Sequence, residues 1–544
     1  MIGLLLLALP VFGGGQVTAS KAALSTASPL ATKAGLQVLK RGGNAIDAAV
    51  TVALVLAVAH PQAGNLGGGG FLTYYDASTK GVWTLDFREV APLAATRDMF
   101  AKSKDAARTG PMAIGVPGTV AGLEAMHAKF GSRAWKELVE PAAGLAREGF
   151  HVDAELYADL LDAQTTRKIA AAPFFIDGKP VASGASLPQP ELAATLQRLA
   201  EAGPRDFYEG ELAAKLVEGL RTAGGNLGYR DLREYKALWR APIQLRFGAY
   251  DLYTVAPPSG GALVIGETLN ILSGLDLAAA GFQTPKAIHY ILEAERRAYI
   301  DRNKYVGDPV GTRIPYRELL SNERAALWRK SIDPVRSTPT VTLTEPGAML
   351  AEGEHTTHFT IVDEHGNIAA VTTSLGDNFG SGVLVPGLGY FLNAAMDDFT
   401  IAPAAPTRDG LVQGNTNVIE PAKRAASSMS PTIILRDGKP FLALGTKGGP
   451  AIPNIILQVF LNIAVYRKSL QEAVAAPRWH HQGVPEDAQY ERTRVPAATL
   501  EALNAMGQGV ISREAIGDVH AILFDKGRIY AIADPRRGGA AGGY

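Results

Sequence analysis

The chain has 544 residues, 47% hydrophobic and 19% charged, an ordinary globular composition with length enough for a large core. Basic and acidic residues both number 53, so the formal net charge is zero and no basic field points to nucleic acid or to an anionic membrane surface. There is no cysteine, which excludes disulfides, a thiol nucleophile, thiolate zinc sites and iron–sulfur clusters without fixing the compartment.

Residues 2–12 form a short apolar run followed by Gly13-Gly14-Gly15 and Val17-Thr18-Ala19-Ser20, the outline of a signal peptide or leader over residues 1–20, although no Lys or Arg precedes Lys21. That outline predicts a periplasmic or secreted protein. Leu30 to Leu39 reads as an amphipathic helix closed by Arg41-Gly42-Gly43, and Ala45 to Ala59 as a buried helix too short to span a membrane. A glycine loop, Gly64 to Gly70, then runs into a strand, Phe71 to Tyr75. Because the loop precedes a strand and not a helix N-terminus, it predicts close backbone packing, not a dinucleotide site.

From about Met99 to Lys330 the pattern is mostly helical, with helical spacing around Ala121 to His127 and Leu138 to Arg147. A strand pair, Ile243 to Phe247 and Tyr250 to Val255, interrupts it. Charge is densest in Glu293 to Asp308, read as a helix whose Glu and Arg residues pair among themselves and with neighbours in a structural polar layer. Residues 336–353 turn to Ser, Thr, Pro and Gly, a linker leading to His355-Thr356. Beyond it three hairpins are predicted: Thr357 to Asp363 with Ile368 to Leu375, Thr432 to Leu435 with Phe441 to Leu444, and Ala521 to Phe524 with Ile529 to Ile532. Helical patterns at Ile452 to Tyr466 and Leu470 to Ala475 lie between them, so sheets flanked by helices predict a layered body.

Thr356 opens the first of these hairpins. If the peptide bond before it breaks, Thr356 gains a free α-amine beside its hydroxyl, placing base and nucleophile on one residue. An amine pKa near ~8 leaves a useful neutral fraction at neutral pH. The nucleophile elbow, the His-Glu-x-x-His zinc helix and the Walker loop are all missing from the sequence. His355 and His358 lack a third ligand at a recognisable spacing, so neither a metal nor an organic cofactor is predicted.

Several stretches together, in order, resemble the γ-glutamyltransferase family. They are Gly43-Asn44-Ala45-Ile46-Asp47-Ala48-Ala49, Asn65-Leu66-Gly67-Gly68-Gly69-Gly70-Phe71, Asp86-Phe87-Arg88-Glu89, Val116-Pro117-Gly118-Thr119, Thr356-Thr357-His358, Met396-Asp397-Asp398-Phe399, Ser427-Ser428-Met429-Ser430-Pro431-Thr432 and Gly448-Gly449. The resemblance implies an α+β, four-layer αββα sandwich of the N-terminal nucleophile hydrolase type. It implies a precursor that cuts itself between His355 and Thr356, giving a large fragment of residues 21–355 and a small catalytic fragment of residues 356–544 that stay together as a heterodimer.

Carried over by position, Thr356 is the nucleophile toward glutathione or another γ-glutamyl compound, Ser374 orients it, and Gly448 and Gly449 supply oxyanion-hole N–H groups. Arg88 matches the arginine for the substrate α-carboxylate, Asp398 the acid for the α-ammonium, and Ser427 and Ser428 the serine pair on the carboxylate. The acyl group would pass to water, an amino acid or a dipeptide. Three positions depart from the family: Gly376 replaces an asparagine, Ala395 a Gln or Glu, and Asp409 a lid tyrosine of some bacterial members. Asp377 or Asn378 is then expected to compensate. The departures leave a glutaryl-type (cephalosporin) acylase as an alternative, and an unprocessed, inactive binding protein as the alternative from another class.

Overall fold

Two runs of strands, one on each side of the Thr356 junction, interleave to build two seven-stranded sheets stacked face to face. The computed structural model describes residues 15–169, 173–343, 355–401 and 415–544. Most of the predicted leader, residues 344–353 of the linker and Asp409 lie outside these.

In chain order the strands are β1 (Gln16–Ala19), β2 (Ala23–Thr26), β3 (Gly69–Asp76), β4 (Gly81–Phe87), β5 (Leu238–Arg240), β6 (Ile243–Phe247) and β7 (Tyr250–Thr254). After the junction come β8 (His355–Val362), β9 (Ile368–Gly376), β10 (Thr432–Arg436), β11 (Lys439–Lys447), β12 (Asp518–Asp525), β13 (Arg528–Ala533) and β14 (Ala540–Gly543). One sheet has the order β14-β2-β8-β9-β3-β4-β5 and the other β1-β13-β12-β11-β10-β7-β6. Each sheet thus takes strands from both sides of the junction. A cut before Thr356 would leave the two pieces joined by strand pairing and by the shared core.

The layer between the sheets is built from small and β-branched side chains, among them Ala23, Val362, Ala370, Ile433, Ala443 and Ile522. Helices cover both outer faces. On one side lie α1 (Pro29–Lys40), α2 (Ala45–Ala59), α3 (Thr119–Phe130), α4 (Trp135–Glu148) and α5 (Ala154–Leu161); on the other lie α6 (Gly261–Leu272), α7 (Pro285–Tyr305), α8 (Ile452–Ala464) and α9 (Leu470–Ala475). This is the predicted αββα order. Helix α2 is buried along its whole length and starts at a capping box, in which Asn44 accepts from the Asp47 N–H and Asp47 takes the Asn44 N–H. No helix among the described residues is long and apolar enough to cross a membrane.

The charged stretch lies in α7, where Glu293, Arg296, Arg297, Asp301 and Arg302 are all buried. Arg297 and Arg296 both pair with Glu293, and Arg324 forks onto Asp301, so the polar layer forms as expected. Residues 16–19, taken with the leader in the sequence reading, instead form the edge strand β1, paired with β13 and burying Val17 and Ala19. Four residue pairs, Gln16↔Ile532 through Ala19↔Ile529, fix its register.

Candidate functional site

Sheet register assembles the core of the site. Thr356 on β8 lies opposite Ser374 on β9, and Ser374 lies opposite Gly69 on β3. Gly70 lies opposite Phe87 on β4, so the antiparallel step past it brings Arg88 level with Gly69. Thr356, Ser374, Gly69 and Arg88 therefore form one row across four strands. At ~4.8 Å per strand the row spans roughly 14 Å from main chain to main chain.

Thr356 is buried, and its Oγ1 donates to Ser374 Oγ at 3.3 Å. Ser374 Oγ also takes the Gly376 N–H at 2.9 Å. The register shifts between His355 and Thr356, so an irregularity in the ladder falls at the bond whose scission would free the Thr356 amine. His358, two residues on, has both ring nitrogens engaged, with Thr372 Oγ1 at 2.8 Å and Thr360 Oγ1 at 2.9 Å. Burial, with His520 adding to it, holds its pKa well below the usual range, so the ring is neutral.

The glycine loop explains why the row can be so tight. A side chain on Gly68 would strike the Ser374 carbonyl, and one on Gly69 the Glu89 carboxylate. The Gly68 N–H is held by Asn65 Oδ1 at 3.0 Å, and its carbonyl takes the Gly118 and Thr119 N–H groups. Three of the family-like stretches thus meet at one point, and the loop serves backbone packing as predicted.

At the other end of the row Arg88 is buried between two carboxylates. Its Nη1 donates to Glu89 Oε2 at 2.5 Å and its Nη2 to Asp398 Oδ2. Burial opposes the charge on Arg88, but the two carboxylates outweigh it and raise its pKa. For Glu89 and Asp398 burial dominates over the single guanidinium they share, and both are pushed above the usual carboxylate range. Tyr235 Oη donates to the Arg88 carbonyl at 2.8 Å and Asn417 Nδ2 to the Asp398 carbonyl at 2.7 Å, fixing both backbones. Ser427 and Ser428 are buried on a strap that bridges Ser259, with the Gly260 N–H on the Ser427 carbonyl at 2.7 Å. Arg302 Nη2 reaches Ser428 Oγ at 3.5 Å, and its charge also acts on Asp398.

Gly448 and Gly449 follow β11 at φ +134° and +52°, immediately before α8. Gly445, three residues earlier, packs against the His358 ring, so β11 leaves the sandwich beside the start of β8. Among the described residues no acceptor takes the Gly448 or Gly449 N–H. The turn therefore presents two free donors next to the positive end of a buried helix.

Arg88, Asp398 and Ser428 are brought together, with Thr356 and Ser374 at the far end of the same row. Asp377 pairs with Lys168 at 3.1 Å, and Asn378 meets Lys168 through its carbonyl and Asp159 through its side chain, so a substitute for the contact absent at Gly376 would have to exchange one of these partners. Gly376 itself stands at φ +86° with the Ala394 carbonyl close to where a Cβ would sit, which accounts for glycine there. Sequence reasoning passed over Glu89 as a partner and Arg302 as a neighbour of the site. Glu89 adjoins Arg88 and was legible as part of the same motif, whereas Arg302 was absorbed into the structural charge of α7.

The gamma-glutamyltranspeptidase family pattern matches residues 31–544. The chain is 40% identical to the glutathione hydrolase proenzyme of Pseudomonas sp. strain A14, over 97% of this chain and 95% of that one, and 40% identical to that of Escherichia coli K12, over 96% and 91%. Its fold is similar to the crystal structure of cephalosporin acylase from Bacillus halodurans, with TM-score 0.87, 26% identity and coverage of 100% and 99% of the two chains. On family pattern, full-length relatives and fold together, the chain belongs to the gamma-glutamyltranspeptidase family.

Proposed function

We propose that this chain is a self-processing γ-glutamyltransferase that opens the γ-glutamyl amide of glutathione and related compounds. The observation that carries the reading is the row from Thr356 to Arg88, with Asp398 on the arginine. In the precursor, Thr356 Oγ1 attacks the His355 carbonyl carbon, an ester replaces the peptide bond, and water hydrolyses it to free the Thr356 amine. Residues 356–544 then form the small fragment and the residues before them the large one, held as a heterodimer by the interleaved sheets.

In the mature enzyme the α-amine takes the Thr356 hydroxyl proton as Oγ1 adds to the γ-carbonyl carbon. Gly448 and Gly449 N–H groups receive the charge that develops on the carbonyl oxygen, with the α8 dipole in support; one such donor is commonly worth about 3 kcal/mol. The amide nitrogen leaves with the proton, and water or the amine of an amino acid or dipeptide then takes the acyl group from Thr356. Ser374 holds the hydroxyl in line. The amino-acid head exchanges into the Arg88–Asp398 pair, its carboxylate on the Arg88 fork with Ser427 and Ser428, its ammonium on Asp398. Two buried carboxylates sharing one guanidinium suit an incoming cation, which favours a donor that carries the ammonium.

Ala395 and Gly376, which offer no polar side chain, and the likeness to cephalosporin acylase support the second reading, a glutaryl-type acylase on the same nucleophile. Rates on a γ-glutamyl anilide and its des-amino glutaryl analogue decide between them: preference for the first supports the transferase, preference for the second the acylase. We also place the protein outside the cytoplasm, with a leader that ends before Gln16, since removal through residue 20 would strip β1 from its sheet. The mature N-terminus of exported material tests this.

A further inference from the structure

We propose that Thr446 is a positioning residue for acyl transfer, aiming the Gly448 N–H by locking the peptide plane in front of it. The inference rests on the reading of Gly448 as an oxyanion donor. Thr446 is fully buried, and its hydroxyl bonds to main chain, within β11 and across to the first residue of β12. Its Oγ1 donates to the Lys447 carbonyl at 2.7 Å and accepts the Asp518 N–H at 2.9 Å. In a trans peptide the C=O and the following N–H point in opposite directions. Holding the Lys447 oxygen toward Thr446 therefore turns the Gly448 N–H away from it, outward from the sheet.

The next peptide is fixed in the same sense by main chain alone: the Ala451 N–H donates to the Gly448 carbonyl at 3.0 Å, which orients the Gly449 N–H. Tyr299 Oη holds the Pro450 carbonyl, and Lys447 Nζ is tethered to Glu155 at 3.1 Å. The turn is thus clamped on every side, and the only clamp on the Lys447–Gly448 plane made by a side chain among the described residues is the Thr446 hydroxyl. Gly448 needs it, because a glycine at φ +134° has no side chain of its own to oppose a peptide flip. Packing alone does not explain a threonine here. Valine fills the same volume, whereas both hydrogen bonds of the hydroxyl go to backbone at the turn and at the Gly517-Asp518 corner beneath it.

The test uses the full chain as wild type, Thr446→Val and Thr446→Ser, with self-cleavage read on a denaturing gel and kcat and KM measured on a γ-glutamyl anilide. Thr446→Val should lower kcat by about 10- to 100-fold with KM within about twofold, and Thr446→Ser should return kcat to within about threefold of wild type. A Thr446→Val kcat within twofold of wild type overturns the proposal, as does a loss confined to KM or a Thr446→Ser enzyme as slow as Thr446→Val. If Thr446→Val stays uncut, cleavage restored in Thr446→Ser supports the hydroxyl's role and failure of both variants to cut overturns it. Wild type with no γ-glutamyl turnover removes the parent reading first, and this inference with it.

Discussion

Asp398→Asn separates the two candidate donors, because it removes the charge that meets an ammonium while keeping the shape of the side chain. Asp398 is 8% exposed and lies on Arg88 Nη2, while Nη1 remains with Glu89 at 2.5 Å, so the arginine keeps an anchor in the variant. Taking one partner from a buried, hydrogen-bonded charge pair costs about 2–5 kcal/mol, or roughly 30- to several-thousand-fold in kcat/KM. That loss should fall on the γ-glutamyl anilide alone. The des-amino glutaryl anilide has no ammonium, and the carboxylate it presents gains Arg88 Nη2, so its kcat/KM should hold or rise. Asp398→Asn also takes one of two carboxylate partners from the buried Arg88, so the variant should melt somewhat below the wild type while remaining folded. Equal losses on both anilides would refute the ammonium role, and a loss on the glutaryl substrate alone would reverse the assignment of Arg88 and Asp398.

Thr356→Ala should remain a single chain without acyl-transfer activity, and its melting temperature should stay near that of the wild type, because among the described residues its hydroxyl makes one bond, of 3.3 Å, to Ser374. Ser374→Ala strips the acceptor from the half-buried Gly376 N–H, so denaturant curves should show a loss of about 1 kcal/mol, and cutting and turnover should both slow. Stability should fall on acidification below pH 6.5, because the buried His480 has its pKa pushed down to about 4 by burial, so the unfolded chain binds a proton that the native chain refuses. The loss runs from pH 6.5 to about 4, and His480→Gln should make that part of the stability profile shallower, with the buried His358 and His481 supplying the remaining slope.

Much of the architecture was legible because local signals and tertiary demands agree. The α2 boundaries follow from the Asn44 cap and the uniform apolar run, and the three hairpins after Thr356 from alternation broken by Gly and Asp turns. Strand β1 was hidden because four short residues after three glycines look like the exit of a leader, and only pairing with β13, some five hundred residues away, makes them a strand. The Arg88–Asp398 contact joins residues 310 positions apart, so spacing carries no trace of it; the resemblance named both residues, and the fold joined them. Arg302 and Thr446 went unseen for another reason. Each looks ordinary in sequence, one among the charges of a polar helix and one β-branched residue in a strand, and its relation to the site exists only through a hydrogen bond to a neighbouring element.

N-terminal sequencing of the smaller polypeptide in active material tests the central claim most directly. A chain beginning with Thr356, Thr357 and His358 is the predicted result. A different first residue, or full turnover by a chain that was never cut, would contradict a nucleophile that carries its own base.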